Sequence, residues 1–171
     1  MTHSIQQKLT TEFIGTFFLS LTICTAAVYG SAGEYAPFGI AATLMVMIYA
    51  GGHISGAHYN PAVTVSIYLR GACDKDEVLP YIASQVIAAV SAALVVENLL
   101  FPDATSPVAA ELGNEAVVAE LLFTFALAYV ILNVATTEST SGNGYYGAAI
   151  ALVVLAGAIT VGSISLASFN P

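Results

Sequence analysis

Charge is what this sequence lacks most. Of its 171 residues, 8% are Asp, Glu, Lys or Arg, while 57% are hydrophobic. A soluble domain carries about a quarter charged residues, so there is too little ionic surface here to cover a water-soluble core, and a lipid bilayer is the better solvent. Basic residues are scarcer still. Three Lys plus Arg against eleven Asp plus Glu give a net charge of −8, which excludes nucleic acid as a partner, since its phosphates demand cations. The two cysteines, Cys24 and Cys73, are too few for a disulfide framework and lack the spacing of a metal site. No Lys- or Arg-rich leader with a small-residue cleavage site precedes the first apolar run, so that run is expected to be retained as a span.

A helix needs about 20 mostly apolar residues to cross roughly 30 Å of hydrocarbon, and the few charges punctuate the chain on that scale. One span is FIGTFFLSLTICTAAVY, inside the charge-free interval between Glu12 and Glu34. Further spans are expected from Val78 to about Phe101, from about Glu115 to Ala135 and from about Tyr145 to Val161. The uncharged stretch from Tyr35 to Leu69 is anomalous, being too long for one span and too short for two; with one span taken from it, five complete spans are counted. Lys8, Arg70 and Lys75 all fall on one side of an alternating path. The positive-inside rule puts that side, and the amino terminus, in the cytoplasm. The loops carrying Glu34 and carrying Asp103 and Glu111 are then external.

Within the anomalous stretch, GGHISGAHYNPAVT interrupts an apolar run with glycines, two histidines, an asparagine and a proline. Non-helical backbone is tolerated at membrane depth only when buried in protein or lining a water-filled cavity. Asn60 has the chemistry of a helix N-cap and Pro61 that of a first helical residue. A helix from Pro61 to Arg70 would be roughly 15 Å long, half the hydrocarbon thickness, so the chain dips in and returns. The construction is repeated at residues 162–171, where GSISLASFNP matches GHISGAHYNP of residues 52–61 at six of ten positions with an offset of 110. Thr11-Glu12-Phe13 is likewise answered by Ala119-Glu120-Leu121, a glutamate heading a span each time. An odd number of crossings per copy requires the two copies to lie inverted, and inverted repeats whose half-helices meet at the midplane mark a permeation pathway.

HISGAHYNPAVT resembles the first signature of the aquaporin and glyceroporin family, the major intrinsic proteins; TEFIGTFF resembles their first-helix opening, and ISLASFNP the start of their second signature. The resemblance covers the whole chain and implies an all-α membrane protein, an aquaporin-like inverted-repeat helical bundle with a re-entrant half-helix and an incomplete second half. It makes residues 1–171 one transmembrane domain, the first repeat about 1–105 and a partial second repeat about 106–171. The implied activity is passive transport of water or a small neutral solute such as glycerol, without a cofactor, in a homotetramer. Two departures stand out. Leu166 occupies a position that is usually glycine, and the sequence stops at Pro171, before a second half-helix and sixth span. The expectation is that these 171 residues are part of a longer reading frame and that alone they insert without conducting.

The signature residues are Asn60, Pro61 and Ala62, with Asn170 and Pro171. As a cap, Asn60 offers its oxygen to the half-helix and turns its NH2 group toward the lumen, a pure donor to solute. By resemblance, Gly56, Ala57, His58 and Tyr59 supply one row of pore carbonyls and Leu166, Ala167, Ser168 and Phe169 the other, with His58 orienting loop backbone. A carboxylate within a bilayer is costly unless hydrogen-bonded, and the resemblance implies that Glu12 and Glu120, with Gln85, are buried anchors of the loops. The resemblance further implies that Ile40 and Ala158 are members of the family's narrow selectivity ring, where water-only channels carry an aromatic residue and a histidine. Glu97 and Glu138, near span ends, are expected to be solvated, and Gly15, Gly51 and Gly157 to serve close helix packing. A broken-helix secondary transporter is the competing reading; it needs intramembrane charges beyond Glu12 and Glu120. An intramembrane enzyme finds only Ser55 near His53 as a nucleophile and base.

Overall fold

The computed structural model describes residues 3–105 and 113–171, which form α-helices, short 3-10 and π turns and, among the described residues, no strand. Helix α1 (Ile5–Thr22) opens on a reciprocal cap, Gln7 N donating to Ser4 Oγ and Ser4 N to Gln7 Oε1, and continues through a π turn, Ile23–Val28. Helix α2 (Ala36–Ser55) has Pro37 in its first turn and stops at Gly56, whose φ of 88° suits glycine. Helix α3 (Pro61–Leu69) has nine residues, about 14 Å at 1.5 Å per residue. Helix α4 (Lys75–Val95) runs into a second π turn, Val96–Leu100; α5 covers Asn114–Ala135 and α6 covers Tyr146–Ser165.

Five segments, Ile5–Val28, Gly33–Ser55, Lys75–Leu100, Asn114–Ala135 and Tyr146–Ser165, are long and apolar enough to cross a membrane. The anomalous stretch thus divides into one full-length helix and one half-length helix joined by residues 56–60. Three boundaries differ from the sequence reading. Helix α1 begins at Ile5, well before Phe13 where the first expected span opens, because Ser4 caps it there. Helix α4 begins at Lys75 rather than Val78, because Asp76 and Glu77 sit in its first turn, where the helix dipole favours carboxylates. Helix α6 extends past Val161 to Ser165. Glu111, and the expected repeat boundary at residue 106, lie outside the described residues.

Helix α1 packs against α2 and α4, α2 also against α6, and α5 against α6, while α3 rests on α4 and α5. Large apolar side chains such as Leu79, Leu121 and Phe125 face outward. Hydrocarbon solvates them at no cost, so burial is reserved for other residues. Among the most enclosed side chains are Glu12, Thr64 and Gln85. A polar interior inside an apolar exterior positions the two loops that follow α2 and α6.

Candidate functional site

Both loops leave their helix through a left-handed residue and stay partly left-handed. In the first, φ is 88° at Gly56, 52° at Ala57 and 51° at Tyr59; in the second it is 65° at Leu166, 51° at Ala167 and 47° at Phe169. The match is residue for residue at the repeat offset of 110. Left-handed backbone costs roughly 1–2 kcal/mol for each residue with a Cβ, so something must hold it.

That holding group is a carboxylate from the preceding helix, Glu12 of α1 for the first loop and Glu120 of α5 for the second. Glu12 Oε1 accepts from Ser55 Oγ (2.6 Å) and His58 N (2.9 Å), and Oε2 accepts from Tyr59 N (2.7 Å) and Gln85 Nε2 (2.9 Å). Glu120 collects the repeat-equivalent donors, Ser165 Oγ (2.6 Å), Ser168 N (3.1 Å) and Phe169 N (2.6 Å). Backbone N–H groups converging on an anion are what successive left-handed residues create. Ser55 Oγ and Ser165 Oγ each also accept the N–H two residues on, from Ala57 at 3.0 Å and Ala167 at 3.1 Å.

Thr64 ties the first loop to α3 and α4, a role the sequence reading missed. Its hydroxyl donates to Asn60 O at 3.1 Å and accepts from Gln85 Nε2 at 3.0 Å. The His58 ring meets that same hydroxyl through Nδ1 at 3.1 Å, a side-chain partner rather than loop backbone. Tyr81, also unforeseen, stands 5.0 Å from the His58 ring and donates from Oη to Ser55 O at 2.8 Å. The only sequence signal for Thr64 is its place one turn after the capping asparagine, from which its hydroxyl reaches the cap's carbonyl.

Tyr59 and Phe169, the residues before each asparagine, are fully buried. A Cβ on Gly15 or Gly51 would collide with Tyr59, and one on Gly157 with the Phe169 and Phe123 rings. These glycines make room for the loop aromatics, and Gly51 and Gly157 also for neighbouring helices, through Thr11 of α1 and Phe123 of α5.

Each asparagine then reaches across to the other loop. Asn60 Oδ1 caps α3 by accepting from Ala62 N (2.8 Å) and Val63 N (3.3 Å), which turns its NH2 group away from the helix. That group donates to Phe169 O at 2.6 Å, and Asn170 Nδ2 donates to Tyr59 O at 2.9 Å. An amide nitrogen carries two hydrogens, so one on each side remains after this exchange. Both asparagines border a cavity of about 540 Å³. The same cavity is bordered by Gly56, Ala57, His58 and Tyr59 of the first loop and by Ser168 and Phe169 of the second, while Leu166, Ala167, Pro61, Ala62 and Pro171 stand outside its lining. Its walls are apolar. Ile40, Leu44 and Ile48 project from α2, and Ile150 and Val154 from α6; Ala158 packs half-buried against the core but does not line this cavity. Glu138 lies in the connection 136–143, whose Thr136, Thr137, Thr140, Ser141 and Asn143 also border the cavity and add polar groups at that end.

Such a passage, with fixed amide donors where two symmetry-matched loops meet, suits uncharged hydrogen-bonding solutes. A sequence profile of the family described as "Major intrinsic protein" matches residues 1–171. The chain belongs to that family. Among curated relatives, Aquaporin NIP1-1 of Arabidopsis thaliana is 37% identical over 183 residues, covering 96% of this chain and 61% of the relative. Probable aquaporin NIP4-2 of Arabidopsis thaliana is 36% identical over 181 residues, covering 98% of this chain and 62% of the relative. Aquaporin Z of Photorhabdus laumondii is 34% identical over 190 residues, 96% of this chain and 80% of that protein. The chain spans about three fifths of the length of the two plant relatives. As a major intrinsic protein with five apolar spans, it is an integral, multi-pass membrane protein.

Proposed function

We propose that this major intrinsic protein forms a channel for passive movement of water, small neutral solutes such as glycerol, or both. The observation that carries this reading is the reciprocal Asn60–Phe169 and Asn170–Tyr59 exchange at a cavity with apolar walls. A solute oxygen there meets donors from both sides, so its own hydrogens point outward and a proton wire is broken at the centre. The α3 N-terminus adds about half a positive charge, which repels cations. The remaining carbonyls of residues 56–58 and of Ser168 form the acceptor rows, Glu12, Gln85 and Glu120 anchor the loops, and the amino terminus faces the cytoplasm in a homotetramer. The first repeat covers about 1–105 and the second begins about 106.

Ile40 and Ala158 set the width of the ring in this reading, and both are smaller than an aromatic residue and a histidine. Proteoliposomes containing the full-length protein should therefore swell in a glycerol gradient as well as shrink in an impermeant osmolyte, followed by stopped-flow light scattering. Ile40→Phe with Ala158→His should reduce glycerol flux more than water flux. Fluxes of both solutes at the empty-liposome level, or uptake that requires a pH gradient, would overturn the channel reading; the second result would favour coupled transport.

A further inference from the structure

We propose that His3 and His53 together form a two-imidazole site for a divalent transition-metal ion, with zinc the class member best suited, at one mouth of the cavity. The sequence has three histidines. His58 is enclosed in the loop and engaged with Thr64. The other two serve no role in the proposed passage, yet they meet from distant parts of the chain. Their ring centroids are 6.3 Å apart at an interplanar angle of 77°. His53 sits exposed on the last turn of α2, beside Gly52 and Gly56 on the cavity's border, and His3 is half-buried ahead of the Ser4 cap.

As it stands the pair makes an edge-to-face ring contact, and a modest approach would bring both rings onto one ion. With metal–nitrogen bonds of about 2.0–2.1 Å, each ring centroid stands roughly 3.2 Å from the ion, so two rings on one tetrahedral ion are about 5 Å apart. Closing from 6.3 Å requires the two side chains to rotate toward each other, for which the exposed His53 has room. Neutral imidazole is a preferred ligand for zinc, copper and nickel. No group of three or more His, Cys, Asp or Glu side chains arranged for a metal exists among the described residues, so water must complete the coordination. Two protein ligands make a reversible site that fills when metal is supplied. A hydrated dication beside Gly52 and Gly56 narrows the mouth and adds positive charge to it, so zinc should slow permeation; this consequence rests on the channel reading, whereas binding does not.

Zinc binding is measured by equilibrium dialysis on purified full-length protein with every affinity tag removed, and water flux in proteoliposomes with and without zinc. The expected result is one zinc per chain, weakened on the order of tenfold or more in both His3→Ala and His53→Ala. His3→Ala, whose side chain does not border the cavity, should keep its zinc-free flux and lose the inhibition, and a chelator should restore the wild-type rate. Zinc binding that survives His53→Ala, including binding lost only in His3→Ala, would overturn the proposal, since a site on the amino-terminal segment alone behaves that way. Zinc held by both histidines with flux unaffected would overturn the placement at the mouth. A protein that does not conduct at all refutes the channel reading, and the dialysis result still decides the metal site.

Discussion

Gly15 lies directly beneath the Tyr59 ring, so closely that a Cβ at residue 15 would occupy the ring's space. The ring cannot slide away, because Tyr59 Oη donates to Met47 O at 2.9 Å and the residue is 1% exposed. Gly15→Ala is therefore expected to destabilise the protein by about 1–3 kcal/mol through overpacking and to lower solute flux by displacing the Tyr59 carbonyl. Thermal unfolding in detergent and proteoliposome flux check both. Gly39→Ala is the matched control, since its Cβ would meet nothing nearer than Thr22 Cγ2 at 3.9 Å, and it should leave both readouts near wild type.

Glu12 gathers four donors and Glu120 three. Hydrogen bonds to a charged group contribute about 1.5–3 kcal/mol each, and orphaning buried donors adds the cost of their desolvation. Glu12→Ala should thus lower the unfolding temperature more than Glu120→Ala. Glu12→Gln should also be damaging, because its NH2 group must face donors already aimed at that oxygen. Equal melting of all three variants and wild type would show that the carboxylates hold nothing.

Leu166 closes α6 with a φ of 65°, where its counterpart Gly56 closes α2 at 88°. The leucine side chain is 55% exposed, so little packing is lost on removing it. Leu166→Gly should stabilise the second loop by about 1 kcal/mol through relief of the left-handed penalty, partly offset by glycine's greater freedom when unfolded. A differential melt of the two proteins in the same detergent measures the balance, and a clear loss of stability would contradict it.

Much of the helical layout was legible because charges are rare. Glu12, Glu34, Arg70 and Glu115 bracket apolar runs of spanning length, and the Tyr35–Leu69 anomaly announced a half-helix through Asn60 and Pro61. Charge, however, reports where hydrocarbon ends and not where helix does, so the charged first turn of α4 and the polar last turn of α6 were cut short. The loop centre was less readable. Glu12 and Glu120 stood out as carboxylates heading spans, but which donors they collect depends on left-handed backbone at Ala57 and Tyr59, residue types with no preference for it. Thr64 and Tyr81 looked like ordinary membrane-helix residues. Their roles arise only when α3 folds back onto α4.

Asn60→Asp replaces a donor with a carboxylate that would sit against Phe169 O, now 2.6 Å from Nδ2. Two acceptors repel, and the added negative charge offsets the positive end of α3. Water flux should fall and cation leak should rise, read by light scattering and by an ion-sensitive dye in the same vesicles. Asn170→Asp should act in the same direction through Tyr59 O, its partner at 2.9 Å. Unaltered flux and leak in both variants would remove the asparagines from the pathway.

The two asparagine amides point in opposite directions across the centre, so each half of the chain finishes a hydrogen bond that the other half has begun. Without the second loop, Tyr59 O and Asn60 Nδ2 each lose the partner that they have across the centre. The first loop therefore completes its hydrogen bonds only once α6 has delivered Phe169 and Asn170, which couples the folding of the two repeats.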